Sequence, residues 1–191
     1  VVVCDVDSSK ADSVAKSIND ASPGRAISVP GDVTDPQYFP VLVQRAAEFG
    51  GGKIHIIVNN AGYTWDGVIH KITDKQWDTM LAVHNTAPFR LIRQAAPYFR
   101  VKDGENRVIV NISSTSGTHG NAGQANYSLA KAGVVGLTKT VAKEWGPQVS
   151  NFPSPFFFFV FLVICPLAYR KFQGDVFFFA RCADGVSLVL A

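Results

Sequence analysis

Tyr127 and Lys131 stand four residues apart in the stretch Ala-Asn-Tyr-Ser-Leu-Ala-Lys, the spacing at which two side chains on one helix face are neighbours. A free phenol titrates near pH 10, and a positive charge beside it favours the phenolate. Lys131 would therefore bring Tyr127 toward working pH as a proton donor or acceptor. Ser113 and Ser114 lie shortly upstream, and the Ser114 hydroxyl could hydrogen-bond a carbonyl oxygen or an alcohol. A lone Tyr-x-x-x-Lys pair is common on helix surfaces, so the surrounding elements carry the reading.

Those elements are legible. Val108 to Ile112 is an apolar run that reads as a buried strand and delivers Ser113 and Ser114 to its C-terminal end. A Gly-rich loop follows, and then a helix on which Ala130, Val134, Leu137, Val141 and Trp145 recur at steps of three and four. Earlier, Val1 to Cys4 reads as another buried strand that ends at Asp5, with Val6 next to it. A carboxylate at such a strand end can accept hydrogen bonds from the two hydroxyls of a ribose and would repel a 2′-phosphate; equally, Asp5 or Asp7 could open the next helix. Ser8 is the expected N-cap of a helix through about Asn19, stopped by Ser22-Pro23-Gly24. Ala26 to Val29 reads as a second strand, and a helix from Pro36 to Phe49 is expected with Asp35 as its cap. Asp32 and Val33 lie between them, Asp32 being readable as a simple turn residue. Ile54 to Val58 is a third buried strand that runs into Asn59-Asn60-Ala61-Gly62, where small residues let a ligand approach the backbone. Thr73 is the expected cap of a long helix from Asp74 to about Phe99, with Trp77 and Leu81 facing inward. Asn85 inside that helix is a polar residue of low helix propensity: a kink or π-type bulge at a functional site is one reading, and an exposed or hydrogen-bonded helix Asn is the other. His84 and His119 have no partner at a ligand spacing and read as ordinary polar residues.

Two motifs occur together in order: Asn-Asn-Ala-Gly after an apolar strand, and the run of serine, Gly-rich loop, tyrosine and lysine from Asn111 to Lys131. The chain resembles the short-chain dehydrogenases/reductases, and Gly120 to Tyr127 is similar to the loop of their 3-oxoacyl-acyl-carrier-protein reductase branch. The resemblance implies an α/β fold, a doubly wound parallel sheet with helices on both faces. It also implies reversible hydride transfer between NAD or NADP and a carbonyl or secondary alcohol, an acyl thioester among them. In that reading Tyr127 is the acid, Ser114 orients the oxygen, Lys131 depresses the tyrosine pKa and binds the nicotinamide ribose, and Asn85 holds a water beside the lysine. Asp5 and Val6 would select the cofactor, the acid favouring NAD, while Asp32 and Val33 would flank adenine and Asn60, Ala61 and Gly62 would line the cofactor path. Family members commonly pair this helix and the preceding long one with their copies, so a homo-oligomer is expected.

The chain as a whole bounds these expectations. With 191 residues, 47% of them apolar, and a formal net charge of +3, one compact domain is expected. Lysines and arginines are scattered rather than clustered, which excludes a nucleic-acid footprint. Cys4, Cys165 and Cys182 show no metal spacing and read as reduced thiols, and no metal is expected. The chain opens on a strand without methionine or targeting segment, which reads as a strand cut from its beginning, so the absence of a signal assigns no compartment; cytoplasm or mitochondrion is the expectation. The resemblance covers residues 1 to about 149; the family's opening strand and Gly-rich turn are not seen, so the sheet is expected to be incomplete. A partial nicotinamide-binding unit over 1–150 would then be followed by a foreign apolar tail over 151–191, which holds ten of the fourteen phenylalanines and reads as translated non-coding or altered-splice sequence. The run from Phe156 to Ala168 falls short of the roughly 20 residues that span a bilayer, so a membrane anchor is the weaker reading. A third is that Asp175 to Ala180 or Val186 to Leu190 supplies a replacement strand. The rival to an active reductase is a remnant that cannot bind cofactor.

Overall fold

The computed structural model describes residues 1–149, 158–165 and 187–190. Its strands are β1 (Val2–Cys4), β2 (Ile27–Ser28), β3 (Ile56–Asn59), β4 (Arg107–Ser114), β5 (Phe158–Cys165) and β6 (Ser187–Leu190). They form one sheet in the order β2-β1-β6-β3-β4-β5, and every pairing is parallel. The α-helices are α1 (Ser8–Ala21), α2 (Tyr38–Phe49), α3 (Asp74–Leu81), α4 (Ala87–Phe99), α5 (Thr115–His119) and α6 (Ala125–Val149). Side chains alternate across a strand, and β1 illustrates the result. Val2 and Cys4 join the larger core with Leu42, Val43, Leu91, Phe99, Ile109 and Trp145, whereas Val3 joins Ala11, Ala15 and Ala26 on the side of α1. Helices cover both faces, as a parallel sheet requires.

The central slot between β1 and β3 is filled by β6. Val2, Val3 and Cys4 pair with Leu188, Val189 and Leu190, and the same strand pairs Ser187 to Leu190 with Ile56 to Asn59. The β-prone run at the end of the chain, one of the two stretches that read as a replacement strand, supplies this bridging strand. Asp175 to Ala180 and Cys182 lie outside the described residues. Among the described residues no helix is long and apolar enough to cross a membrane, and the apolar run that starts at Phe156 contributes β5, which pairs with β4 from Arg107 to Ser114.

Local boundaries differ where side-chain capping outweighs pattern. Asp7, not Ser8, caps α1 by accepting from the Lys10 N–H; the two residue types cap equally well, and the extended backbone at Asp7 selects it. The turn Asp35 to Gln37 is tied by Gln37 N–H donating to Asp35 Oδ1, and α2 begins only at Tyr38. Thr73 caps α3 in a reciprocal capping box with Gln76. The long helix expected from Asp74 is interrupted by a π-helical segment, Ala82 to Thr86, so of the two readings of Asn85 the structure has the bulge. Met80, Val83, His84, Ala87 and Pro88 are buried in and around it, while Trp77 and Leu81 are half-buried.

The N-terminal edge of the sheet is closed by charge. Arg107, 1% exposed, donates through Nη2 to Asp103 at 2.7 Å and through Nε to the Tyr98 carbonyl. Glu105 accepts from Lys53 and pairs with His55; the Lys53 ammonium first, and then His55, hold its carboxyl below the usual range. The opposite edge collects the strand ends Cys4, Asn59, Ser114 and Leu190.

Candidate active site

Strand β4 and helix α6 bring the predicted residues together. Ser114 ends β4 fully buried, and its Oγ accepts from the Ser116 N–H, which makes it the N-cap of α5. Ser113 Oγ donates to the Lys131 carbonyl at 2.8 Å, locking the strand end onto α6. Lys131 is 5% and Tyr127 4% exposed. The lysine Nζ donates to the Ile112 carbonyl at 2.7 Å and lies 5.6 Å from the centre of the Tyr127 ring. An ammonium is thus buried beside a phenol at the C-terminal edge of a parallel sheet, where ligands of such sheets bind. Gly117 permits this closeness, because a Cβ there would stand 2.7 Å from the Lys131 carbonyl carbon.

A buried amide chain fixes the neighbouring strand. Asn59 Nδ2 donates to Asn111 Oδ1 at 2.7 Å, Asn111 Nδ2 donates to Thr138 Oγ1 at 2.9 Å, and Thr138 Oγ1 donates to the Val134 carbonyl. Three elements, β3, β4 and α6, are joined through polar groups that would each be costly if unpaired. Asn60, Ala61 and Gly62 then leave the sheet as an open loop with Asn60 and Gly62 exposed. On the far side, Asp5 Oδ1 accepts from the Asp7 N–H and the Asp5 carbonyl accepts from Gly31, while Val6 is 74% exposed. Asp32 is engaged as a turn residue, its Oδ1 accepting from both the N–H and the hydroxyl of Thr34. Val33 is half-buried against the larger core.

Two π-segment neighbours point different ways. Asn85 Nδ2 donates to the Ala130 carbonyl at 2.8 Å and lies against Gly133 of α6; its Oδ1 is buried without a partner among the described residues. His84, which reads as an ordinary polar residue in the sequence, is instead 2% exposed. It meets the Tyr127 ring edge-on at 5.2 Å and 81° and pairs through Nε2 with the Tyr63 carbonyl at 2.8 Å. Burial, and then the Lys131 charge, pushes its pKa down to about 4. Asn126 was equally hidden: its Nδ2 donates to the Trp65 and Gln76 carbonyls and its Oδ1 accepts from Tyr127 N–H. The only signal for either was a polar residue adjacent to a motif residue. His119 pairs with Thr118 on the surface, and no metal-holding cluster occurs among the described residues.

The site fits a polar cofactor on two observations: a loop of small residues follows a buried strand end, and Asn59 Oδ1 and Asn85 Oδ1 are buried without partners among the described residues. The family model for short chain dehydrogenases matches residues 1–151. The chain belongs to the short-chain dehydrogenase family. It is 37% identical over 161 residues to hydroxyacyl-CoA dehydrogenase ChsB1 of Mycobacterium tuberculosis, covering 80% of this chain and 47% of that protein. It is 35% identical over 144 residues to the 3-oxoacyl-[acyl-carrier-protein] reductase FabG of Thermotoga maritima, covering 75% and 57%. The chain thus spans about half the length of the curated relatives it matches. Among solved structures it is similar to a 3-ketoacyl-(acyl-carrier-protein) reductase from Brucella melitensis complexed with NADH, with TM-score 0.75, 27% identity, and coverage of 87% of this chain and 64% of that one. Sorbitol-6-phosphate 2-dehydrogenase SrlD from Erwinia amylovora is similar at TM-score 0.72 and 30% identity, over 78% and 57%.

Proposed function

We propose that this short-chain dehydrogenase family member is an oxidoreductase that interconverts a carbonyl and a secondary alcohol with a nicotinamide cofactor, on substrates similar to 3-oxoacyl thioesters. The observation that carries the reading is the burial of Tyr127 and Lys131 side by side at the C-terminal edge of the sheet. When bound, the cofactor supplies or accepts the hydride, and the protein positions and polarises. Tyr127 moves the proton to or from the substrate oxygen through its phenolic oxygen. Lys131 favours the phenolate by its charge, and Ser114 would turn its hydroxyl to the substrate oxygen in exchange for the Ser116 amide. The unpartnered Oδ1 of Asn85 is suited to a bridging water that relays protons.

Residues 1–150 would form the cofactor-binding unit. Asn60, Ala61, Gly62, Tyr127 and Lys131 would hold the nicotinamide half, and Asp32 with Val33 the adenine. Asp5 would accept the ribose hydroxyls with Val6 flanking, which favours NAD over NADP. A homo-oligomer through α4 and α6 is consistent with the exposure of Phe89 and Leu129 there, 46% and 48%. Cytoplasm or mitochondrion is the compartment proposed.

Titration with NADH and then NADPH, followed by turnover of a 3-oxoacyl thioester, tests the reading. The expected result is tighter NADH than NADPH binding, and a Tyr127→Phe variant that still binds NADH saturably while losing at least about a hundredfold in kcat, the size of a general acid's contribution. Absence of saturable binding by the folded chain would make it a non-catalytic member of the family.

A further inference from the structure

His84 occupies a position that no role assigned so far explains. The π-helical segment Ala82–Thr86 carries one residue more per turn than an α-helix would, and π-type turns concentrate at functional sites. Here His84 goes to the loop after β3 and to the Tyr127 ring, and Asn85 goes to the α6 backbone. A carbonyl only accepts, so the bond to Tyr63 O requires the proton on His84 Nε2. Nδ1 is left bare, buried and without a partner among the described residues. The low pKa agrees, since a second proton would charge a buried ring facing Lys131. Gly62 is part of the same contact, because any Cβ there would overlap the His84 ring.

We propose that His84 is a positioning residue: its Nε2–H holds the Tyr63 carbonyl and with it the Asn60–Gly62 loop, while its ring edge sets the plane of Tyr127. One buried imidazole would thereby fix the spacing between the cofactor loop and the proton-carrying phenol. The inference rests on the reading above for its catalytic meaning, but the contacts that carry it do not depend on cofactor. Its two halves separate chemically. The ring edge is retained by His84→Phe and the N–H is lost; His84→Gln keeps an amide N–H at about the reach of Nε2 and loses the ring.

Four readouts on purified, folded variants test this, with thermal melting as the control for folding. In the His84→Phe variant, amide hydrogen exchange around Gly62–Thr64 should accelerate, and NADH should bind about tenfold more weakly, the effect of losing one buried hydrogen bond. In the His84→Gln variant NADH affinity should stay within about threefold of the parent, because the donor is restored. Its Tyr127 phenol midpoint, read as an ultraviolet difference spectrum against Tyr127→Phe, should move, and kcat should fall with KM little changed. If exchange in the loop is unchanged in the first variant, or the phenol midpoint is unmoved in the second, the proposal is overturned. Should the parent chain bind no nicotinamide, the oxidoreductase reading fails, while loop exchange and the phenol midpoint still decide the role of His84.

Discussion

At the scale of residues, the site is a set of polar groups taken out of water and made to answer to one another. Tyr127 and Lys131 are matched by helical spacing, but the third ring beside them, His84, arrives through a bulge. Its depressed pKa has a consequence for stability. An unfolded histidine takes a proton below about pH 6.5, whereas the folded one does so only below about 4. Between those values the unfolded chain binds more protons, so acid favours unfolding. The stability that the neutral ring maintains is complete above about pH 6.5 and lost as the pH falls toward 4, about 3 kcal/mol at the acid end. Urea unfolding at stepped pH should show this slope, and His84→Phe, with nothing to protonate, should lack that part of it. A parent and variant with parallel profiles would mean that the ring is protonated in the folded chain.

At the scale of elements, the decisive contact is α5 against α6. Gly117 has no side chain where α5 crosses the α6 backbone at Lys131 and Ala132, and glycine is the residue that allows such an approach. Gly117→Ala should force the short helix outward, stretch the Ser113 to Lys131 bond, and cost about 1–3 kcal/mol. Denaturant unfolding measures the cost. Because the displaced strand end carries Ser114, kcat should fall as well, and a variant of unchanged stability would show that α5 yields without strain. Gly133 sets a gentler version of the same rule, leaving room for the Asn85 amide to reach the Ala130 carbonyl. Loops obey it too: Gly67 N–H donates to the Gly123 carbonyl, and Gln124 Nε2 reaches the Asp66 carboxylate, zipping the stretch after Gly62 to the stretch that leads into Tyr127.

At the scale of the whole molecule, strand β6 joins what would otherwise be two sheets. Among the described residues, β1 and β2 reach β3, β4 and β5 by strand pairing only through Ser187–Leu190. Val189→Pro removes an amide from a central strand, where proline is not tolerated. It should destabilise the fold by more than about 2 kcal/mol and weaken NADH binding in parallel, since Asp5 and the Asn59–Gly62 loop lie on opposite sides of that strand. Circular dichroism melting and NADH titration measure the two effects. A variant that melts at the parent temperature would mean that the bridge contributes little.

How much of this was legible depends on distance along the chain. The strands before Asp5, Asn59 and Ser114, the N-cap at Thr73 and the pairing of Tyr127 with Lys131 follow from local rules, because β-branched runs, capping side chains and helical periodicity act over a few residues. That Asn85 sits poorly in a helix interior was visible for the same reason, although an ordinary hydrogen-bonded Asn fitted the local sequence as well as a bulge did. Asp7 displaced Ser8 as the cap of α1 because two capping residues stand side by side and only geometry chooses between them. His84 and Asn126 were not legible, since a buried polar side chain is explained by its partners: Tyr63 lies 21 positions from His84, and Trp65 lies 61 from Asn126. The amide chain from Asn59 through Asn111 to Thr138 is non-local in the same sense. By itself the sequence determined the kinds of element and the spacing of Tyr127 and Lys131, the pair proposed to move a proton. Only the tertiary structure decided which strand fills the centre of the sheet and which side chains meet at its edge, because hydrogen-bond satisfaction and close packing are settled between segments that the chain holds far apart.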